Sequence, residues 1–236
     1  MKQRIYVNDV AVRDGFQIER DFVPTETKVE LIDELSQTGL AKIEVTSFVS
    51  PKAVPNMRDA EQVLSLIDRV PGVIYAVLVP NVRGVERAMQ CNVDEINLFC
   101  SASESHNRAN VNRTVAQSVQ GFGDIMQALS GSDIKVNCSI STAFGCPFEG
   151  EVAPEKIYAL VDQFIELGFD GVTIADTTGM ANPKRYRTDF AFPQYARHGP
   201  GQCIGGLRGR CGELRCIARR PRRLPVRARR LGQYLH

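Results

Sequence analysis

Three carboxylates stand in or just after segments that read as β-strands. Asp14 follows the first, in Val12-Arg13-Asp14-Gly15-Phe16-Gln17. Glu44 lies inside the second, in Ile43-Glu44-Val45-Thr46-Ser47-Phe48. Asp176 ends the sixth, in Thr173-Ile174-Ala175-Asp176-Thr177-Thr178-Gly179. Three acids and Arg13 gathered at one mouth would suit a divalent metal and an oxyanion. Taken singly, each acid reads more plainly as a helix cap or an ion-pair partner; the coincidence of three favours a shared site. Other chemistry-bearing residues are weaker candidates. His106 lies in the polar stretch Ser101-Ala102-Ser103-Glu104-Ser105-His106-Asn107-Arg108 and reads as solvated. Cys138 and Cys146 flank a strand end and read as buried, inert thiols. Gly145-Cys146-Pro147-Phe148-Glu149-Gly150 is a turn by composition and a candidate border to a ligand.

The elements that would position these residues alternate along residues 1–180. Strand-like segments, short and rich in Val and Ile, run over Arg4–Val10, Ala41–Phe48, Val73–Val79, Glu95–Cys100, Ile134–Ile140 and Gly171–Ala175. Helical patterns lie between them. Thr27-Lys28-Val29-Glu30 has the form of a capping box, followed by a stripe of Val29, Ile32 and Leu35 and by Gly39 as a stop. Val111–Leu129 reads as another helix. Pro154 opens a further one, with Ile157, Leu160, Val161, Phe164 and Ile165 on one face and Gly168 at its end. Such alternation at a pitch of roughly 30 residues means a parallel sheet with right-handed crossovers. No Gly-x-Gly-x-x-Gly follows the first strand, so a dinucleotide fold loses its best support. Acids at strand ends favour a (β/α)8 TIM barrel, incomplete because the pattern stops after about six βα units.

The chain of 236 residues is 43% hydrophobic and has a net charge of +2, which hides a sharp split. Residues 190–236 carry 11 Arg against one acid, Glu213, a net of +10; the remaining 18 basic and 26 acidic residues give −8 over residues 1–189. The predicted division is therefore a partial barrel domain over 1–189 and an Arg-rich, irregular, disordered tail over 190–236. No apolar run approaches the roughly 20 residues of a membrane span. The N-terminus has no signal-peptide pattern, and the seven Cys form no Cys-x-x-Cys pair, so a reduced, cytoplasmic protein without membrane partners is expected.

At its candidate site the chain resembles the 3-hydroxy-3-methylglutaryl-CoA lyase family, within the metal-dependent barrel lyases and Claisen-type synthases. Arg-Asp-Gly-x-Gln at 13–17 is the motif of the whole group. Ile43 to Lys52, then Val54-Pro55-Asn56-Met57, resembles the lyase branch, as do the segments 145–150 and Asp176-Thr177-Thr178-Gly179. The resemblance implies a TIM-barrel homodimer that cleaves 3-hydroxy-3-methylglutaryl-CoA to acetyl-CoA and acetoacetate with Mg2+ or Mn2+. It implies Asp14 as a metal ligand and Arg13 as the group that stabilises the enolate. Glu44 would support the metal or Arg13, and Asp176 would help move the hydroxyl proton. Arg13, Gln17, Ser139 and Thr178 would contact the acyl-CoA substrate; Ser139 stands where several members carry Tyr. A related acyl-CoA lyase, such as a citramalyl-CoA lyase, is the nearest rival.

Two family features are missing: a His-x-His on the seventh strand and a Cys in the loop Gly-Leu-Gly-Gly-Cys-Pro. Both reappear in another reading frame. Phe190 to Gly199 can be encoded TTC GCA TTT CCA CAA TAC GCG CGG CAT GGG, and reading from the second base gives Ser-His-Phe-His-Asn-Thr-Arg-Gly-Met-Gly once the next codon's first base is added. Cys216 to Arg230 can likewise yield Ala-Ser-Leu-Gly-Gly-Leu-Gly-Gly-Cys-Pro-Phe-Ala-Pro-Gly-Ala. A frameshift between about Pro183 and Phe190 follows, and the Arg richness becomes shifted glycine codons. The chain as written is then expected to be inactive or nearly so. The competing reading is a noncatalytic protein whose basic tail binds phosphates by charge alone, with no specific nucleic acid partner.

Overall fold

The computed structural model describes residues 6–181 and the backbone of 203–204 and 215–217. Six parallel strands form a curled half-barrel: β1 (Tyr6–Asp9), β2 (Lys42–Ser47), β3 (Ile74–Leu78), β4 (Glu95–Ser101), β5 (Lys135–Ser141) and β6 (Gly171–Ile174). They are joined through α1 (Thr25–Ser36), α2 (Ala60–Leu66), α3 (Val82–Ala88), α4 (Glu104–Val111), α5 (Val115–Ala128) and α6 (Pro154–Glu166). Each strand pairs with its neighbour in sequence, as an incomplete TIM barrel requires. Two short strands flank the six: β7 (Cys203–Ile204) lies parallel to β6, and β8 (Arg215–Ile217) parallel to β1. A sheet that ends at its sixth strand would have left both edges bare. Ladder hydrogen bonds use backbone groups alone, so an exposed edge accepts extended chain of almost any sequence. The boundary at 189/190 and the rest of the tail lie outside the described residues.

The strands alternate in a way that splits the interior into two layers. Ile96, Leu98 and Cys100 of β4 are at most 1% exposed and belong to the apolar core beneath the helices. Their partners in alternation, Glu95 and Asn97, face the barrel lumen, where Lys42 pairs with Glu95. The core is closed between α5, α6 and β6 by Phe122, Phe164 and Phe169, whose ring centroids lie 5.3 to 5.9 Å apart. Tyr75, fully buried on β3, accepts from the Val70 amide at 2.8 Å and donates to Ser36 Oγ at 2.9 Å, so its hydroxyl is satisfied.

Two helix boundaries differ from the sequence pattern. The helix α1 begins at Thr25, directly after Pro24, so Thr27 lies inside it and forms no capping box. Thr25 instead bonds Asp59 across the fold at 2.8 Å, and Lys28 turns inward to the same carboxylate. The stretch 111–129 is broken at Asn112, whose left-handed φ of 54° ends α4. Thr114 then starts α5 with a true capping box to Gln117.

Candidate functional site

Arg13 and Asp14 sit in a wide helical turn, Ala11–Gly15, that leaves the end of β1, followed by a 3-10 turn at Phe16–Ile18. Asp9, at the end of β1, accepts from the Ala11 amide at 2.8 Å and sets the direction of this turn. Arg13 donates through Nη1 to Asp14 Oδ1 at 2.9 Å and through Nε to Glu44 Oε1. Glu44 is 5% exposed, on β2, immediately before a register shift in the β2–β3 ladder between Glu44 and Thr46. Such a bulge re-aims the side chains that follow it and is common beside functional sites. The second Glu44 oxygen accepts from Asn97 Nδ2 on β4. Asn137 on β5 donates to Asn97 Oδ1 at 2.9 Å and lies 3.2 Å from Thr173 Oγ1 on β6.

The other predicted site residues are placed less centrally. Asp176 is exposed, and its two oxygens accept from the amides of Met180 and Ala181 at 2.9 and 3.2 Å, so it caps its own loop. Thr178 donates to the Gly145 carbonyl at 3.0 Å, and Thr177 accepts from the Thr142 amide at 2.9 Å. The segments 145–150 and 176–179 are therefore docked on each other. Gly145 is required there: its φ is +149°, and a Cβ would lie 2.5 Å from Met180 Sδ. Gln17 and Ser139 are half-buried, Ser139 on β5 opposite Thr173 in the ladder.

His106 is not a solvated loop residue. It lies in the first turn of α4, which Ser103 caps, and its Nδ1 is 2.6 Å from Ser101 Oγ at the end of β4. The polar stretch 101–108 contains that cap, and its Ser-x-x-His spacing is what hid the helix among polar residues. Cys146 is buried against Ser103 Oγ at 2.9 Å. Cys138 is also buried, and its thiol is pushed well up by burial and by the neighbouring Cys100. Both match the reading as buried thiols. Asn97, Asn137 and Thr173 were missed. Their signal was polar residues at alternate positions in strands whose other positions are apolar, the mark of a lumen-facing row.

Divalent metal dependence can be tested on these residues. Among the described residues no three His, Cys, Asp or Glu side chains come together as a ligand set. Both Glu44 oxygens are engaged and Asp176 holds its loop, which leaves Asp14 as a single carboxylate beside Arg13. One carboxylate does not make a tight Mg2+ or Mn2+ site, since these ions rely on several ligands in near-octahedral array. The described residues do not fit the metal.

A cleft of about 640 Å3 opens between the loops after β2 and β3 and the helices α4 and α5. Its walls include Val79, Phe99 and Val111, with Arg83 and Arg113 at its polar part. Volume and mixed lining are those of a small-molecule site.

Comparison with known proteins identifies this architecture. The rat mitochondrial hydroxymethylglutaryl-CoA lyase is 42% identical over 183 residues, 78% of this chain and 56% of its own length. The hydroxymethylglutaryl-CoA lyase YngG of Bacillus subtilis is 40% identical over 186 residues, 79% of this chain and 62% of its own. The chain thus spans little more than half the length of these relatives. A solved HMG-CoA lyase from Acinetobacter baumannii, in complex with coenzyme A and 3-methylmalate, superposes with a TM-score of 0.74 at 46% identity, covering 78% of this chain and 60% of that one. A family model described as HMGL-like matches residues 4–193, a span that carries Arg13, Asp14, Glu44 and Asp176 together, and on that match the chain belongs to the HMGL-like family.

Proposed function

We propose that the chain carries the reaction-centre half of a lyase that cleaves 3-hydroxy-3-methylglutaryl-CoA to acetyl-CoA and acetoacetate. The observation that carries this reading is the part-buried Arg13–Glu44 pair, in a chain of the HMGL-like family. Loss of the proton from the tertiary hydroxyl starts the reaction. The oxygen pair then forms the ketone of acetoacetate while the C–C bond breaks. Its electrons pass to the thioester, giving an enolate that takes up a proton to become acetyl-CoA. Arg13 is the fixed cation for the enolate oxygen, oriented by Glu44 and Asp14 so that no reorganisation is needed as charge develops. Asp176 is assigned to the hydroxyl proton, and Gln17, Ser139 and Thr178 to the acyl group.

The cleft beside Arg83 and Arg113 is assigned to the coenzyme A portion. Its apolar wall suits a pantetheine arm, and neither guanidinium has an ion-pair partner among the described residues, which suits phosphates. The family also favours a homodimer. Four free cysteines among the described residues suit a reducing compartment, and we place the protein in the cytoplasm. Among the described residues no helix is long and apolar enough to cross a membrane.

Family members are typically dependent on a divalent metal, and Asp14 is assigned here as one of its ligands. The frameshift reading accounts for the rest: the family match ends at residue 193, and the first tail arginine is Arg197. The test is acetoacetate release from 3-hydroxy-3-methylglutaryl-CoA with Mg2+, by the chain as written and by a chain with the frame restored near codons 183–190. Turnover by the restored chain alone is expected. Cleavage of a different acyl-CoA in preference would overturn the substrate assignment, and equal turnover by both chains would overturn the frame assignment.

A further inference from the structure

The Arg13–Glu44 pair depends on which end of one amide faces Glu44. We infer that Asn97 is a positioning residue for Arg13, held in its working orientation by Asn137 and Thr173. The inference rests on reading Arg13 as the reaction-centre cation. Glu44 Oε1 is taken by Arg13 Nε, and Oε2 is taken by Asn97 Nδ2. An Asn amide can turn over and present either its N–H or its oxygen. Only the N–H suits a carboxylate. The choice is made one strand away, where Asn137 Nδ2 donates to Asn97 Oδ1 at 2.9 Å. That bond would be lost if Asn97 turned over. Asn137 is in turn held by Thr173 Oγ1, 3.2 Å from Nδ2 and 3.3 Å from Oδ1.

All four side chains are buried: Glu44 is 5% exposed, Asn97 6%, Asn137 3% and Thr173 7%. Water is therefore a poor substitute for any lost partner, and an error at one end travels to the other. The row crosses β2, β4, β5 and β6. The strand β3 lies between the first two, with Ala76 opposite Glu44 and Leu78 opposite Asn97 in its ladders. The row is thus a relay of polarity across half the barrel, ending on the guanidinium.

The experiment reads Arg13 directly and needs no turnover. The full chain is labelled with 15N-arginine, and solvent exchange of the Arg13 Nε–H is measured by NMR in the parent, Asn97→Leu and Thr173→Val. Asn97→Leu keeps the volume and removes the donor, so exchange should quicken about tenfold, the worth of one hydrogen bond to a charged group. Thr173→Val should quicken it less, in the same direction, and it carries the test if Asn97→Leu does not fold. If these residues only fill the lumen, the variants will lower the melting temperature and leave Arg13 exchange unchanged; that result overturns the inference. Absence of acetoacetate formation by the frame-restored chain, with the Arg13 responses intact, would instead sink the lyase reading and leave the relay standing.

Discussion

Asp9 shows how one residue at the end of β1 carries a pH-dependent term. Burial raises its carboxyl above the ordinary range, against the opposing effect of the Ala11 amide that bonds it. In the unfolded chain the group ionises near the usual value of about 4. As pH rises from there toward the folded value, the unfolded state gives up its proton first. Asp9 therefore contributes nothing below that window, loses stability through it, and carries its full cost above it. Asp9→Asn keeps an oxygen for the Ala11 amide and cannot ionise. The stability of Asp9→Asn relative to the parent, from urea unfolding, should rise between pH 4 and pH 7. A difference that does not change with pH would show that Asp9 is not desolvated. At this same scale the reactive residues were readable from sequence in unequal measure. Arg13, Asp14 and Glu44 stand in motifs, and the structure brings them into contact. Asn97 stands in none. Its role depends on which strand lies two places away in the barrel, and local spacing does not encode that.

The elements show the same division. Six strands were legible because the face each turns to the helices is rich in Val, Ile and Leu, and their observed ends fall within two residues of the Val- and Ile-rich runs. The start of α1 was not, because what fixes it is remote. Lys28 is buried at 3% exposure, donates to both Asp59 oxygens at 2.7 and 2.9 Å, and also donates to the Asn56 carbonyl. Burial lowers its pKa, and the Asp59 carboxylate opposes that. Asn56 in turn accepts from the Val23 amide at 2.8 Å and donates to the carbonyls of Glu19 and Asp21. The loop after β2 thus pins the segment that follows the Arg13 turn. Lys28→Met removes one charge and strands the other in a buried place, and should destabilise the protein by about 3–5 kcal/mol. Adding Asp59→Leu should return part of that loss, since replacing both partners leaves no buried charge. Chemical denaturation of the single and double variants checks this. A single variant within about 0.5 kcal/mol of the parent would mean the pair is solvated.

A whole barrel brings strands from both halves of the chain to one mouth, and here the two halves differ in kind. Residues 1–189 carry −8 and residues 190–236 carry +10, with a family match that ends at 193. The site is correspondingly half-built, with a cation held by two carboxylates, Asp14 and Glu44, and no group of three metal-ligating side chains among the described residues. This gives a test by linkage. A ligand that binds the folded state raises its stability by about 2.7 kcal/mol at a concentration 100 times its Kd, which moves the melting temperature of a chain of this size by several degrees. Millimolar Mg2+ or Mn2+ should leave the melting temperature of the chain as written within about 1 °C of its value in EDTA, because Asp14, already paired with Arg13, makes no tight site by itself. On the frameshift reading, the frame-restored chain would regain a His-x-His and should gain several degrees from the same ions, with the gain abolished by Asp14→Asn. Thermal unfolding of the two chains side by side decides it. A rise of several degrees in the chain as written, lost on Asp14→Asn, would show that this half of the barrel holds the metal by itself.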